Sequence, residues 1–374
     1  MTRTPRPSRR AALAAGISAL ALSLAAPAAH AQDAAPLAPM PEAKEINGAR
    51  AELGKMLFFD SRMSGDTGLS CASCHDPEQG WGDGAALSDG YGDLLYFRNA
   101  PGLFNVANRN YFMWDGRLDG ADLGTVVRDM LTESHTMRMD SRLAQERLKQ
   151  VPEYMEMFEA AYGAEPYGGR MYGAIAEFLK TIRTENAPFD AYLRGQENAI
   201  SDAAKRGLAL FEGKAGCASC HSGAMLSDGE LHATGAPDHP DLLGFDPEKL
   251  DETAQRQITL LRHYATMGTP NYMNLRGDVG QYVVTKDEGD IGKFTTPSLW
   301  DVGQTAPYMH SGVFNTLAEV VRFYNSGNAK SAPLGLSPSE EGDLVAFLNS
   351  LTGDAPAITP PELPDYALRT VGEN

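Results

Sequence analysis

The sequence predicts a mainly α protein built as two copies of one helical plan, and three observations carry that prediction. Apolar residues recur at helical spacing, and few stretches alternate with the period of a strand. The pentapeptide CASCH occurs twice, at Cys71–His75 and Cys217–His221, and these hold all four cysteines of the 374-residue chain. The flanks of the two pentapeptides also correspond, as expected of an internal duplication. Gly54, Leu57 and Phe58 of "ELGKMLFF" match Gly207, Leu210 and Phe211 of "KRGLALFE". Downstream, Arg98–Arg117 overlies Phe294–Val313 without a gap. Pro101, Leu103, Val106, Met113 and Gly116 there meet Pro297, Leu299, Val302, Met309 and Gly312.

In chain order, residues 1–31 read as a secretory leader. Arg3, Arg6, Arg9 and Arg10 form a basic start, Ala11–Ala26 is apolar, and Ala29-His30-Ala31 is a small-x-small cleavage site. The mature protein is therefore expected in the periplasm, starting near Gln32, with no membrane span. Removing the four leader arginines takes the net charge from −17 to −21. So acidic a surface argues against nucleic acid and suits a basic protein partner.

The cysteines come next. An exported chain has a use for two disulfides, and two Cys-x-x-Cys pairs suit a four-sulfur zinc site. Neither explains a histidine directly after both pairs, and 146 residues separate the motifs. Cys-x-x-Cys-His is the attachment signature of c-type haem: two thioethers hold the porphyrin and the adjacent histidine ligates its iron. Cys71, Cys74 and His75 are thus expected to hold one haem, and Cys217, Cys220 and His221 a second. Each copy reads as a cytochrome-c-like haem domain: helix, motif, loop, Pro-containing segment and closing helix.

The first copy, 32–195, closes on Ile175, Phe178, Leu179 and Ile182; the second, 196–353, closes on Leu344, Phe347, Leu348 and Leu351. Both sets run i, i+3, i+4, i+7. Between Leu131 and Ala161, "SRLAQERLKQ" and "PEYMEMFEAAYG" predict two short helices. Gly195–Ala199 is the joint. The second copy is longer, because His75 to Pro101 spans 26 residues and His221 to Pro297 spans 76. The extra segment, about 223–293, contains a predicted helix over Glu252–Tyr264. Its histidines, His232, His239 and His263, are taken as surface residues. The Pro-rich tail, 354–374, is expected to be extended.

"LGKMLFFDSRMS", the two CASCH motifs, "RNAPGLFN", "WDGR", "TAPYMHSG" and "DLVAFLNSLTG" together resemble the bacterial di-haem cytochrome c peroxidase family, which includes MauG. The resemblance covers most of the mature chain. It implies that hydrogen peroxide reacts at the N-terminal haem, and that the C-terminal haem relays or stores electrons. It places Tyr324, fourteen residues beyond His310, as second iron ligand of the haem held by His221. Conventional peroxidases have methionine there and the MauG-like branch has tyrosine. Leu317, Val320, Val321 and Tyr324 share one helix face, so the side chain points inward; a tyrosine oxygen favours the ferric and higher iron states more than a thioether does. Sixteen residues after His75, conventional members carry a histidine that blocks the first haem. Here the position is Tyr91, which leaves that haem open or caps it; Met63 is a weaker candidate cap.

The family's distal glutamate, the proton shuttle of peroxide cleavage, aligns with Thr136 in "DMLTESHTM". Glu133 and His135 stand close enough in sequence to replace it, and an imidazole suits proton transfer at neutral pH. The resemblance further implies that Trp114 relays electrons between the haems. Asn99, Thr305 and Pro307 match an interface calcium site, and His310 sits near the second haem or the lobe interface. Family members are often dimers, which leaves a homodimer open.

Three functions follow. The first is a periplasmic di-haem peroxidase that reduces hydrogen peroxide with electrons from a small c-type cytochrome or cupredoxin. The second is a MauG-like enzyme that oxidises tryptophan or tyrosine side chains of a partner protein. The third, supported by the missing glutamate, is a di-haem electron carrier without peroxide chemistry.

Overall fold

Capped amphipathic helices build both halves of the molecule, in a computed structural model that describes residues 34–120, 122–243, 249, 251–354 and 356–366. The expected leader, 1–31, lies outside the described residues. In the first half stand α1 (Gly48–Phe59), α2 (Leu123–Thr132), α3 (Ser141–Leu148), α4 (Pro152–Tyr162) and α5 (Gly168–Leu179). In the second stand α6 (Pro188–Leu193), α7 (Asp202–Glu212), α8 (Glu252–Thr266), α9 (Tyr282–Thr285), α10 (Leu317–Ser326) and α11 (Pro338–Asn349). Strands among the described residues are two residues long. Tyr111–Phe112 (β1) pairs antiparallel with Leu118–Asp119 (β2), and Leu231–His232 (β3) with Phe294–Thr295 (β4).

Helix starts follow the local chemistry. Asn47 accepts from Arg50 N to begin α1, Ser201 from Ala204 N to begin α7, and Ser337 with Glu340 forms a capping box at α11. The motif-bearing helix of each lobe then packs on the lobe's closing helix, α1 on α5 and α7 on α11. The two pairings share one device. A Cβ on Gly54 would stand 1.9 Å from Ala174 O, and one on Gly207 would stand 2.0 Å from Asp343 O. Only glycine allows backbones so close. Phe58 then meets Phe178 at 5.2 Å between ring centroids, and Phe211 meets Phe347 at 4.9 Å.

Each lobe has its own core. Leu53, Leu57, Phe58, Ile175, Phe178 and Ile182 belong to the first, with Met63 fully buried among them as a packing side chain. Phe189, Phe211, Trp300, Leu344 and Phe347 belong to the second. The cores change over between Ile182 and Ala187, ahead of the expected joint at 195, because Phe189 of α6 packs into the second core. The described ends cross over. Met40 lies in the second core, its N–H donating to Asp190 Oδ1 at 2.7 Å. Of the expected extended tail, residues 356–366 run along the first lobe, with Ile358 against its core and Pro364 O accepting from Arg62.

A third, smaller core joins the lobes. Leu87 and Phe97 of the first lobe pack with Leu242, Leu260, Tyr264, Val279 and Val283 of the long insertion. The insertion therefore reaches across as an arm over the first lobe. It covers the loop 86–98: Arg256 of α8 donates to Ser88 O and Tyr96 O.

Candidate active site

Two cavities of nearly equal size, about 1180 and 1170 Å³ of empty space with the solvent at their mouths included, lie one in each lobe. Cys71, Cys74 and His75 line the first; Cys217, Cys220 and His221 line the second. Leu103, Val106, Val126, Leu131 and Leu179 help to make the first wall apolar, as Leu299, Val320, Val321 and Leu344 do the second. The cysteine pairs stand at separate cavities and all four thiols are free. No four-sulfur zinc site and no disulfide framework is built from them. Burial pushes the Cys71 and Cys74 thiols up to about 12 and Cys217 to about 11.

Both histidines are set as iron ligands need to be. His75 Nδ1 lies 2.9 Å from Trp81 O, and His221 Nδ1 lies 3.1 Å from Leu226 O. A carbonyl at Nδ1 fixes the proton there and leaves Nε2 as the lone-pair donor. Burial lowers both imidazole pKa values, which keeps the rings neutral. An apolar slot with two thiols at one edge and an oriented neutral imidazole fits a covalently attached porphyrin on each side.

Tyr324 lines the second cavity together with Leu317, Val320 and Val321, the face that the periodicity predicts. Burial raises its phenol pKa, opposed by a hydrogen bond with Thr234. Tyr91 stands outside the lining of the first cavity. Its ring lies against Gly65 and under Arg138, whose Cζ is 5.5 Å from the ring centroid. Trp114 lines both cavities, its Nε1–H donating to Asn99 O at 3.0 Å. Asn99 N–H in turn donates to His310 O at 2.9 Å. His310 also lines the second cavity, stacked on Phe294 at 3.8 Å and paired with Asp238 Oδ1 at 3.0 Å.

The three candidates for the proton shuttle separate. Thr136 faces the first cavity, but its hydroxyl donates to Met130 O and Glu133 O. Glu133 is turned away from the lining, its Oε2 held by Arg117 Nη2 at 2.9 Å. His135 lines the cavity, is 3 % exposed, and has a buried Nδ1 with no hydrogen-bond partner. Burial lowers its pKa; Glu133 opposes this, and His263 and the arginines Arg262 and Arg117 add to it. Of the expected calcium residues, Asn99 donates its Nδ2–H to Ala85 O and Thr305 donates its hydroxyl to Val302 O.

The surface assignment of the insertion histidines needs correcting. His232 and His239 are both partly exposed, at 39 % and 24 % of their side chains, although His232 also borders the second cavity and pairs with Asp228 Oδ2 at 2.7 Å; His263 is the exception. His263 is 1 % exposed, because α8 turns that face onto the first lobe. There it meets a buried ionic network that sequence reasoning missed. Arg98 bridges Asp278 of the arm and Asp115 of the first lobe, with Nε to Asp278 at 2.5 Å and Nη1 to Asp115 at 2.6 Å. Arg117 joins Asp115 to Glu133. Burial alone would raise the Asp115 pKa; Arg98 and Arg117 overcome it and hold the carboxyl well below its usual range.

The likeness to known proteins agrees with this geometry. A profile of the family described as "Di-haem cytochrome c peroxidase" matches residues 48–198. "Cytochrome-c peroxidase IdrP2" of Pseudomonas sp. (strain SCT) is 54 % identical over 356 residues, covering 94 % of this chain and 95 % of that protein. "Methylamine utilization protein MauG" of Methylorubrum extorquens is 36 % identical over 335 residues, covering 87 % and 84 %. Among solved structures, a "MauG-like protein associated with microbial copper homeostasis" superposes with a TM-score of 0.67 at 25 % identity, covering 86 % of this chain and 94 % of the other. Two such cavities in a helix-rich chain, with relatives this similar along its length, make the protein a member of the di-haem cytochrome c peroxidase family and a peroxidase-like oxidoreductase.

Proposed function

We propose that the protein reduces hydrogen peroxide at the cavity of His75, with electrons that enter from a small c-type cytochrome or cupredoxin and pass by way of the cavity of His221. The observation that carries this reading is Trp114, which walls both cavities at once. When bound, the haem held by Cys71, Cys74 and His75 supplies an iron that takes up peroxide and the redox chemistry that splits its O–O bond. The chain supplies the rest. His135, neutral and facing the cavity, takes the proton from the near oxygen and returns it to the leaving one. Overall, two electrons and two protons turn one peroxide into two waters. The acidic surface suits a basic donor protein, and the leader at 1–31 directs the chain to the periplasm. Asn99, Thr305 and Pro307 match the family's calcium residues, and their side-chain and backbone oxygens would hold such an ion.

Tyr324 favours a second reading, in which the electrons come from tryptophan or tyrosine side chains of a partner protein. One experiment separates the two. The ferric holoprotein receives stoichiometric peroxide and is followed spectrally, then reduced cytochrome is offered. A response that cytochrome discharges rapidly, two per peroxide, supports the peroxidase. A long-lived response that cytochrome discharges slowly supports the protein-modifying enzyme. No response to peroxide overturns both and leaves an electron carrier.

A further inference from the structure

His135 cannot handle a proton in isolation, because a buried imidazolium needs a counter-charge and a path by which the charge spreads. The structure provides both through the arm. His263 lies edge-on to His135, with 6.4 Å between ring centroids and 72° between planes. Its Nε2 is 3.5 Å from Asp115 Oδ2 and its Nδ1 is 3.9 Å from Glu133 Oε1. One ligand-capable atom from each of Glu133, His135 and His263 lies within 4.8 Å of the other two, a span that one hydrogen-bonded water covers. His135 Nδ1 is buried without a hydrogen-bond partner, and the partner of the buried His263 Nε2 is the Asp115 carboxylate.

The charges around the pair balance in a telling way. Asp115, Glu133 and Asp278 bring three negative charges, and Arg98 and Arg117 bring two positive ones. Arg262 is exposed, and Phe97 and Tyr264 complete the packing around His263. One negative charge is left over among these buried groups, with the Arg262 cation at the exposed edge beside His135, and a single proton on either imidazole neutralises it.

We propose that His263, delivered by the second lobe's arm, is a positioning residue for the first lobe's site: it receives the proton that His135 accepts and shares it until the leaving oxygen takes it back. The inference rests on the reading of His135 as proton shuttle. It makes the arm part of the peroxide site, so that each lobe contributes to one proton-handling pair.

Cyanide is the probe, because HCN that binds a ferric haem as the anion leaves its proton to the nearest base. In the wild-type holoprotein at pH 7, one proton is retained per cyanide bound. In His135→Gln the proton is released to solvent, and in His263→Gln retention falls well below one. The rate with peroxide falls about 10²-fold in His135→Gln and about tenfold in His263→Gln, within the range of a general acid–base group. The pH profile of His263→Gln also shifts, which a packing role alone would not cause. Should His263→Gln fail to hold its haems, carbon-13 histidine spectra of wild type are read with and without cyanide, and His263 gains a proton on binding. The inference is overturned if His263→Gln keeps both full retention and the wild-type pH profile, if the proton rests on His135 alone, or if a metal ion binds at the cluster of Glu133, His135 and His263. An unchanged peroxide rate in His135→Gln instead overturns the reading of His135 itself.

Discussion

Replacing Arg98 by methionine should release the arm from the first lobe. Arg98 is 2 % exposed and makes three ionic hydrogen bonds, at 2.5 and 2.9 Å to Asp278 and 2.6 Å to Asp115. Methionine fills part of the space but satisfies neither carboxylate. Asp115 keeps Arg117, whereas Asp278 keeps only the N–H of Gly280 among its named partners. Removing one member of a buried ion pair costs about 3–5 kcal/mol. Set against a closing free energy carried by this network and the small third core, that opens the arm about 10²- to 4 × 10³-fold more often, at 1.4 kcal/mol per decade. Hydrogen exchange in the holoprotein reads this directly. Amides of α8 should exchange faster by that factor, and amides of α5 should not. Removing the stranded charge as well, in Arg98→Met/Asp278→Asn, should recover part of the loss, as expected of coupled neighbours. If α8 exchange in Arg98→Met stays within about threefold of wild type, the network does not hold the arm.

Acid should act on the same contact. Arg98 and Arg117 hold Asp115 below the usual carboxylate range against the effect of burial, and Arg98 does the same for Asp278. Their stabilisation is complete above about pH 4, the unfolded value, and is lost as pH falls through the depressed folded values. The arm is thus expected to stay docked at pH 4, and α8 exchange measured from pH 7 to 3 tests this. Gly54→Ala and Gly207→Ala should each lower the melting temperature of the holoprotein. Alanine gains about 1 kcal/mol of helix propensity, but a Cβ 1.9–2.0 Å from a carbonyl oxygen forces the helices apart. A raised melting point in either variant would refute the close-packing account. Tyr324→Met should raise the reduction potential of the second haem, since a thioether favours ferrous iron more than a phenol oxygen does; redox titration that finds no rise would mean Tyr324 is not a ligand.

Local periodicity and repeated motifs made much of this molecule readable from its sequence. The face of Leu317, Val320, Val321 and Tyr324 could be read because helix geometry alone places them together, and all four line one cavity. Gly54 and Gly207 could be matched because both solve the same local problem of helix approach. His263 could not. Along α8 the apolar rows are carried by Leu260 and Tyr264, and a histidine beside them reads as an edge residue facing water. Its burial depends on where an insertion in the second lobe docks, which is set by Arg98 and Asp278, 180 residues apart. No spacing rule connects two such positions. The same limit applies to the missing distal glutamate. The resemblance puts Thr136 at its position and offers neighbours in the same loop, but the ring that meets His135 edge-on comes from the other lobe. The two cavities have one wall alike, written twice in CASCH, and differ elsewhere: Tyr324 of α10 lines the second, whereas behind His135 the first lobe meets the arm of its neighbour. Reading the first site from its own half of the chain therefore had to come out incomplete.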